Sequence, residues 1–187
     1  GTQMIESGVP PRIAVGNDYR SYSLSIKNAL SIGLMQAGIE VLDIGPCITP
    51  MAHFAQFHLD CAVAMVTASH NPNGWTGVKM GFHRPLTHGP DEMGRLKDIV
   101  LNGEGKEAPG GAIKRVDGVM DAYIDDLCGD FKMSRKLRVV CATGNGTASA
   151  YATRVLERIG VEVVPLHTEL DYTFPHYIPI PEAFTGH

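Results

Sequence analysis

Positive charge is in short supply: 16 lysines and arginines stand against 20 aspartates and glutamates, a formal net charge of −4. A nucleic-acid partner requires a basic face, so none is expected. No apolar run approaches the length of a bilayer span and none reads as a secretory signal, so no membrane partner is expected either. Cys47, Cys61, Cys128 and Cys141 are widely spaced and form no Cys-x-x-Cys pair. Two of them sit in strand-like apolar runs, which reads as reduced core thiols in a cytoplasmic protein. A Gly-x-Ser-x-Gly elbow is missing, which argues against a serine hydrolase or phosphatase. Gly144-Asn145-Gly146 lacks the third glycine and downstream acid of a dinucleotide fingerprint and reads as a tight turn. The spacings His53/His58 and His83/His88 repeat no zinc pattern.

What remains is the composition of an ordinary soluble globular chain, 44% hydrophobic and 19% charged. Its 187 residues suit one full domain plus part of another. The pattern alternates strand and helix, which predicts a layered α/β fold. Strands are expected at 12–16, 39–44, 61–66 and 76–82, and helices at 23–37, 49–58 and 90–101. Ile26, Leu30, Gly33, Leu34 and Ala37 are expected to form the buried face of the first of these helices, with Gly38 as its cap. The glycine- and proline-bearing stretch 102–111 is the clearest loop. These signals place a first domain at 1–112, a linking region with a helix at 117–128 over 113–135, and a partial second domain at 136–187. In that last part a strand at 137–142, a helix at 146–159 and a strand at 161–166 repeat the pattern. Ala148, Tyr151, Ala152, Val155, Leu156 and Ile159 fall at helical spacing there and read as core.

The chemistry concentrates in one run, Val66-Thr67-Ala68-Ser69-His70-Asn71-Pro72-Asn73-Gly74-Trp75-Thr76-Gly77-Val78-Lys79. The preceding apolar stretch 61–66 reads as a strand covered on both faces, so Ser69 lies just past its carboxyl end, where open α/β sheets place ligands. A serine hydroxyl needs a base or a stabilising charge field to act as a nucleophile. His70 offers the base and Lys79 a permanent cation for phosphoryl oxygens. Asn71-Pro72 and Asn73-Gly74 are turn formers that would bring 76–82 back beside the serine and present backbone N–H groups to an anion. That combination suits phosphoryl transfer, in which positioning and electrostatics carry most of the catalysis.

Thr67-Ala68-Ser69-His70-Asn71-Pro72 followed by Gly77-Val78-Lys79 closely resembles the phosphoserine signature of the α-D-phosphohexomutases, the phosphomannomutase and phosphoglucomutase family. Residues 15–23 resemble the family's first-strand segment, usually Val-Gly-Arg-Asp-x-Arg-x-Ser-Ser, with Asn17 and Tyr22 as departures. Residues 139–148 resemble the start of its second domain, and 170–182 its Phe-Pro-x-His/Tyr-x-Pro-x-Pro segment. The resemblance implies a three-layer α/β/α domain I with a mixed sheet, plus part of a second, similar α/β domain. It implies an isomerase that interconverts hexose 1-phosphates and 6-phosphates through phospho-Ser69, with a hexose 1,6-bisphosphate as activator. Ser69, His70 and Lys79 would be catalytic, with Lys79 or His70 as general acid/base. Arg20 and Asn71 would bind substrate or phosphate, Asp18 and Arg20 would support the loop, and Mg²⁺ would meet Ser69 through its phosphoryl group.

The family's Asp-Gly-Asp-x-Asp-Arg metal loop, its glycine-rich basic loop and its N-terminal Arg-Gly segment have no counterpart here. Phe184-Thr185-Gly186-His187 is read as a remodelled or foreign tail rather than as the family's sugar-recognition loop. The expectation is an N-terminal portion of a mutase, inactive without its remaining domains, with phosphomannomutase favoured over phosphoglucomutase or phosphoglucosamine mutase. A non-catalytic phosphate- or partner-binding α/β unit is the alternative.

Overall fold

In the computed structural model, which describes residues 1–180, the apolar runs of the first two thirds of the chain line up as a single sheet. Strands β1 (Arg12–Asn17), β2 (Glu40–Pro46), β3 (Ala62–Val66), β4 (Val78–Gly81) and β5 (Ala112–Arg115) stand in the order β4-β3-β1-β2-β5. All pairings are parallel except β3 with β4. The reason is chain length: the turn-rich 67–77 is too short to cross back over the sheet, so β4 returns beside β3 in the opposite sense. The sheet is therefore mixed, as the resemblance implies. The tail residues Thr185-Gly186-His187 lie outside the described residues.

Alternation along β1 divides the core. Ile13 and Val15 pack with Leu34, Ile39 and Val41 on one face, where helix α2 (Ser23–Gln36) and the short α1 (Thr2–Glu6) lie. Ala14 faces the other side with Leu42, Met51, Ala55 and Met65, beneath helices α3 (Thr49–His58) and α5 (Val119–Cys128). The result is three layers, with β3 buried over its whole length between them.

Local chemistry explains the boundaries. Helix α3 opens with a proline in its first turn. Helix α4 (Pro90–Leu101) does the same, and Glu92 Oε2 accepts from Gly89 N–H at 2.9 Å across its start. Helix α2 stops where Gly38 takes φ +80° and Ile39 N–H donates back to Leu34 O at 3.0 Å.

Three features differ from the periodicity reading. Of the face expected for α2, Leu34 and Ala37 are buried, Leu30 packs against the core and Ile26 is half-buried, but Gly33 is exposed and the fully buried stripe also takes in Ser23, Lys27 and Ser31. Asp18, just past β1, and Asp43, within β2, supply carboxylates to this helix, and Ser23 Oγ and Lys27 Nζ donate to them. Residues 112–115, at the head of the stretch read as linking, extend the first sheet by pairing with β2. The helix expected at 146–159 is instead a 3-10 turn at Thr147–Ala150 followed by α6 (Ala152–Arg158). With β6 (Arg138–Ala142) and β7 (Glu162–Leu166), which pair in parallel, α6 forms the second unit. Residues 148, 151, 152, 155, 156 and 159 are half-buried there, because two strands cover only part of a helix face.

Candidate active site

The chain passes from β1 to β2 on one side of the sheet and then back across β1 to β3. This reversal opens a crevice beyond the carboxyl ends of β1 and β3. Asp18 and Arg20 follow β1, and Thr67 to Asn71 follow β3, so two stretches remote in sequence meet there. The cleft holds about 440 Å³ and is lined by Arg20, Ser69, His70 and Lys79 from the first unit and by Thr143, Asn145, Tyr172 and Phe174 from the second.

A buried carboxylate organises the loop. Asp18 Oδ2 accepts from Arg20 Nη1 at 2.8 Å and Thr67 Oγ1 at 2.9 Å, while Oδ1 accepts from Ser23 Oγ and from Arg20 N–H at 3.2 Å. Burial alone would raise its pKa. The hydrogen bonds from Ser23, Thr67 and Arg20 outweigh it and hold the carboxyl below the ordinary range. The two terminal nitrogens of Arg20 also donate to main-chain carbonyls of the loop: Nη1 to Ser69 O at 3.4 Å and Nη2 to Asn71 O at 2.5 Å. Its guanidinium lies 5.6 Å from the centre of the Phe174 ring. Among the described residues, Arg20 Nε and Asn17 Oδ1 are buried without a hydrogen-bond partner.

Held from beneath in this way, the loop sets Ser69 in the left-handed region at φ +56°, uncommon for a residue with a Cβ. Its N–H donates to Thr67 Oγ1 at 2.9 Å, which leaves Oγ facing outward, 3.1 Å from His70 Nδ1. Which of these two atoms donates depends on the histidine tautomer. Lys79 lies on β4 opposite Met65 and is exposed at the cleft. The structure thus brings Ser69, His70, Lys79 and Arg20 to one opening. Asn71 serves the loop instead: its side-chain Nδ2 donates to Ala68 O at 2.9 Å. The anion cradle expected from backbone N–H groups is smaller than the turn residues suggest. Those of Ser69, Asn71, Gly74 and Trp75 all donate within the protein.

Several contributors were not singled out for the site in the sequence. Thr67 and Ser23 are ordinary residue types whose role appears only once Asp18 is placed between them. Tyr22 and Asn73 were visible only as a departure and a turn former, yet Tyr22 Oη bonds Trp75 O and Gly74 N, and Asn73 Nδ2 bonds Tyr172 O. Cys47, on the cleft wall, is buried beside Met65. Burial pushes its thiol pKa up to about 12, which leaves almost no thiolate and removes it as a rival nucleophile. Among the described residues no group of three or more His, Cys, Asp or Glu side chains could hold a metal ion.

Comparison with known proteins places these features in a family. The model for the phosphoglucomutase/phosphomannomutase α/β/α domain I matches residues 2–107, and that for domain II matches 121–186. A phosphomannomutase/phosphoglucomutase of Pseudomonas putida is 32% identical over 182 residues, which is 97% of this chain and 38% of that protein. A phosphomannomutase of Salmonella typhimurium is 35% identical over 92% of this chain and 40% of its own length. The chain therefore spans about two fifths of the curated relatives it matches. The crystal structure of a phosphoglucomutase/phosphomannomutase family protein from Burkholderia thailandensis superposes with a TM-score of 0.83 at 30% identity, covering 95% of this chain and 40% of that one. With both domain models matched in order, and with the serine loop built where β1 and β3 open the sheet, this chain belongs to the phosphoglucomutase/phosphomannomutase family.

Proposed function

We propose that this chain carries the phosphoryl-bearing part of a hexose-phosphate mutase, with Ser69 as the carrier. The observation that supports the reading is Ser69 Oγ, held outward by the strained loop and 3.1 Å from His70 Nδ1 at a cleft that also takes Lys79 and Arg20. In the first half-reaction a hydroxyl oxygen of the hexose monophosphate attacks the phosphorus. The bond from phosphorus to Ser69 Oγ breaks, and the proton lost by the sugar hydroxyl ends on Oγ. The second half-reaction reverses this with the other phosphate of the bisphosphate, so the net change is an isomerisation. His70, in the tautomer with its proton on Nε2, can take and return the Oγ proton through Nδ1. Lys79 faces the phosphoryl oxygens as a cation, and Arg20 fixes the loop through the Ser69 and Asn71 carbonyls.

Mg²⁺ and a hexose 1,6-bisphosphate activator belong to the same proposal. The described residues do not by themselves form a cage for the metal. We therefore propose that any Mg²⁺ meets Ser69 through its phosphoryl group, and that these 187 residues alone turn over little or no substrate. Mannose phosphate is the preferred substrate of the reading, and a cytoplasmic location goes with it.

Intact mass and activity test the reading together. In a longer chain that carries an aspartate-rich metal loop, exposure to glucose 1,6-bisphosphate and Mg²⁺ should add one phosphoryl group, and Ser69→Ala should abolish the addition. Conversion of glucose 1-phosphate or mannose 1-phosphate should be negligible with this chain and present in a longer chain that carries an aspartate-rich metal loop. Activity in that longer chain which survives Ser69→Ala would overturn the carrier assignment.

A further inference from the structure

The outer turn of the serine loop, Asn73-Gly74-Trp75, is solvent-exposed and lies beyond the reach of the Asp18 and Arg20 contacts that fix its base. Two side chains hold it. Tyr22, at the start of α2, accepts from Gly74 N–H at 3.1 Å and donates to Trp75 O at 2.8 Å through one phenolic oxygen. Asn73 Nδ2 donates to Tyr172 O of the second unit at 2.6 Å. Gly74 sits at φ +98°, a conformation that L side chains rarely adopt, so the turn is shaped to offer that N–H and the following carbonyl to one acceptor-donor group. Tyr22 is itself anchored, since its carbonyl accepts from Ile26 N–H and Ser25 Oγ in the first turn of α2.

We propose that Tyr22 is a positioning residue: through its phenolic oxygen it fixes the outer turn of the serine loop to α2 and, through Asn73, holds residues 172–174 of the second unit against the cleft. The consequence for phosphoryl transfer rests on the Ser69 carrier reading, whereas the clamp itself does not. With the turn fixed, Asn73 meets the Tyr172 carbonyl, and Phe174 stays over the Arg20 guanidinium that carries the Ser69 carbonyl. Without it, seven consecutive exposed residues, 71–77, are left with few contacts beyond their own internal bonds, the condition for local opening.

Hydrogen exchange followed by mass spectrometry on the protein and on Tyr22→Phe decides the matter, because phenylalanine keeps the ring and deletes both bonds. Exchange in peptides spanning 72–77 should rise about tenfold, as the loss of two neutral hydrogen bonds allows. Peptides spanning 170–174 should follow, with β1 and β3 unchanged. Asn73→Ala should raise exchange at 170–174 alone. In a longer chain that carries an aspartate-rich metal loop, phosphorylation of Ser69 by glucose 1,6-bisphosphate should slow about tenfold in Tyr22→Phe at an unchanged half-saturating concentration. Unchanged exchange at 72–77 overturns the clamp, and so does a uniform rise across the chain, which would make Tyr22 a general stability residue. If that longer chain takes up no phosphoryl group at Ser69, the carrier reading fails while the exchange data still judge the clamp.

Discussion

Asp18 receives Ser23, Thr67 and Arg20 in a space closed to water, so its charge is the counter-ion on which the loop geometry depends. Asp18→Asn keeps the shape and removes the charge, stranding the Arg20 cation. The expected cost is about 3 kcal/mol, the scale for breaking a buried pair from one side, read as a lower urea midpoint at pH 7. The pH dependence follows from the direction of the shift. The folded carboxyl titrates below its unfolded value of about 3.9, so as pH falls the unfolded chain takes up the proton first. The contribution of Asp18 is complete above the unfolded value and is lost as pH falls through the folded one. Urea midpoints between pH 6 and pH 3 should therefore drop less steeply in Asp18→Asn than in the parent. At this scale the meeting of Ser69, His70 and Lys79 at one cleft was legible, because the turn formers between them bring the returning strand back beside the serine. Asn71 was legible as a turn former, but its amide is spent on Ala68, and only the fold reveals that. Thr67 and Ser23 were silent because a hydroxyl acquires its role from the carboxylate it meets.

Helix α2 shows where periodicity misleads and why. Its buried stripe includes Lys27, whose ammonium sits 2.7 Å from Asp43 Oδ1, while Leu24 and Ile32 are about half exposed. A scale that scores lysine as outward misses the polar edge of such a buried stripe, since the partners waiting on β2 are invisible to it. Lys27→Met removes one partner and leaves Asp43 with Gly45 N–H and the more distant Arg115. Because the Asp43 side chain is 23% exposed, the expected loss is about 2 kcal/mol, below that of a fully buried pair, and chemical denaturation measures it. The fifth strand was missed for a related reason. Residues 112–115 are only half-buried or exposed, so they carry little hydrophobic pattern, and the strand is placed by backbone closeness instead. A Cβ on Gly111 would lie 2.0 Å from Met35 O, at the end of α2. Gly111→Ala should force β5 away from β2, at about 2–3 kcal/mol for the forced shift, with faster amide exchange in 112–115 than elsewhere in the sheet.

Across the whole molecule, stability is unevenly divided between the two units. Among the described residues the first has five strands with helices on both faces, whereas the second has two, with Val140 at 60% and Leu166 at 39% exposure and no fully buried residue in α6. A two-stranded sheet is marginal alone, so the second unit depends on what it leans against. That support is visible: Tyr151 meets Tyr123 of α5 edge-on, Arg154 pairs with Asp121, and Arg158 pairs with Asp125. Both ion pairs are exposed and contribute little each, and they are joined by Tyr151 packed against the first unit's core and by the Asn73 and Phe174 contacts at the cleft. The alternation of strand and helix was enough to foresee both units, but no pattern in the sequence weighs one against the other. The expected behaviour is unfolding in two steps. Amide exchange in 138–142 and 162–166 should occur through openings well below the global free energy, while 13–15 and 62–66 exchange only on complete unfolding. Raising salt to 1 M should shift the first step only slightly, as the two ion pairs across the units are exposed and add little. Coincident transitions by near-UV dichroism and by exchange in 138–166 would instead mean that the cleft contacts lock the two units into one cooperative body, and Asn73→Ala should then split them.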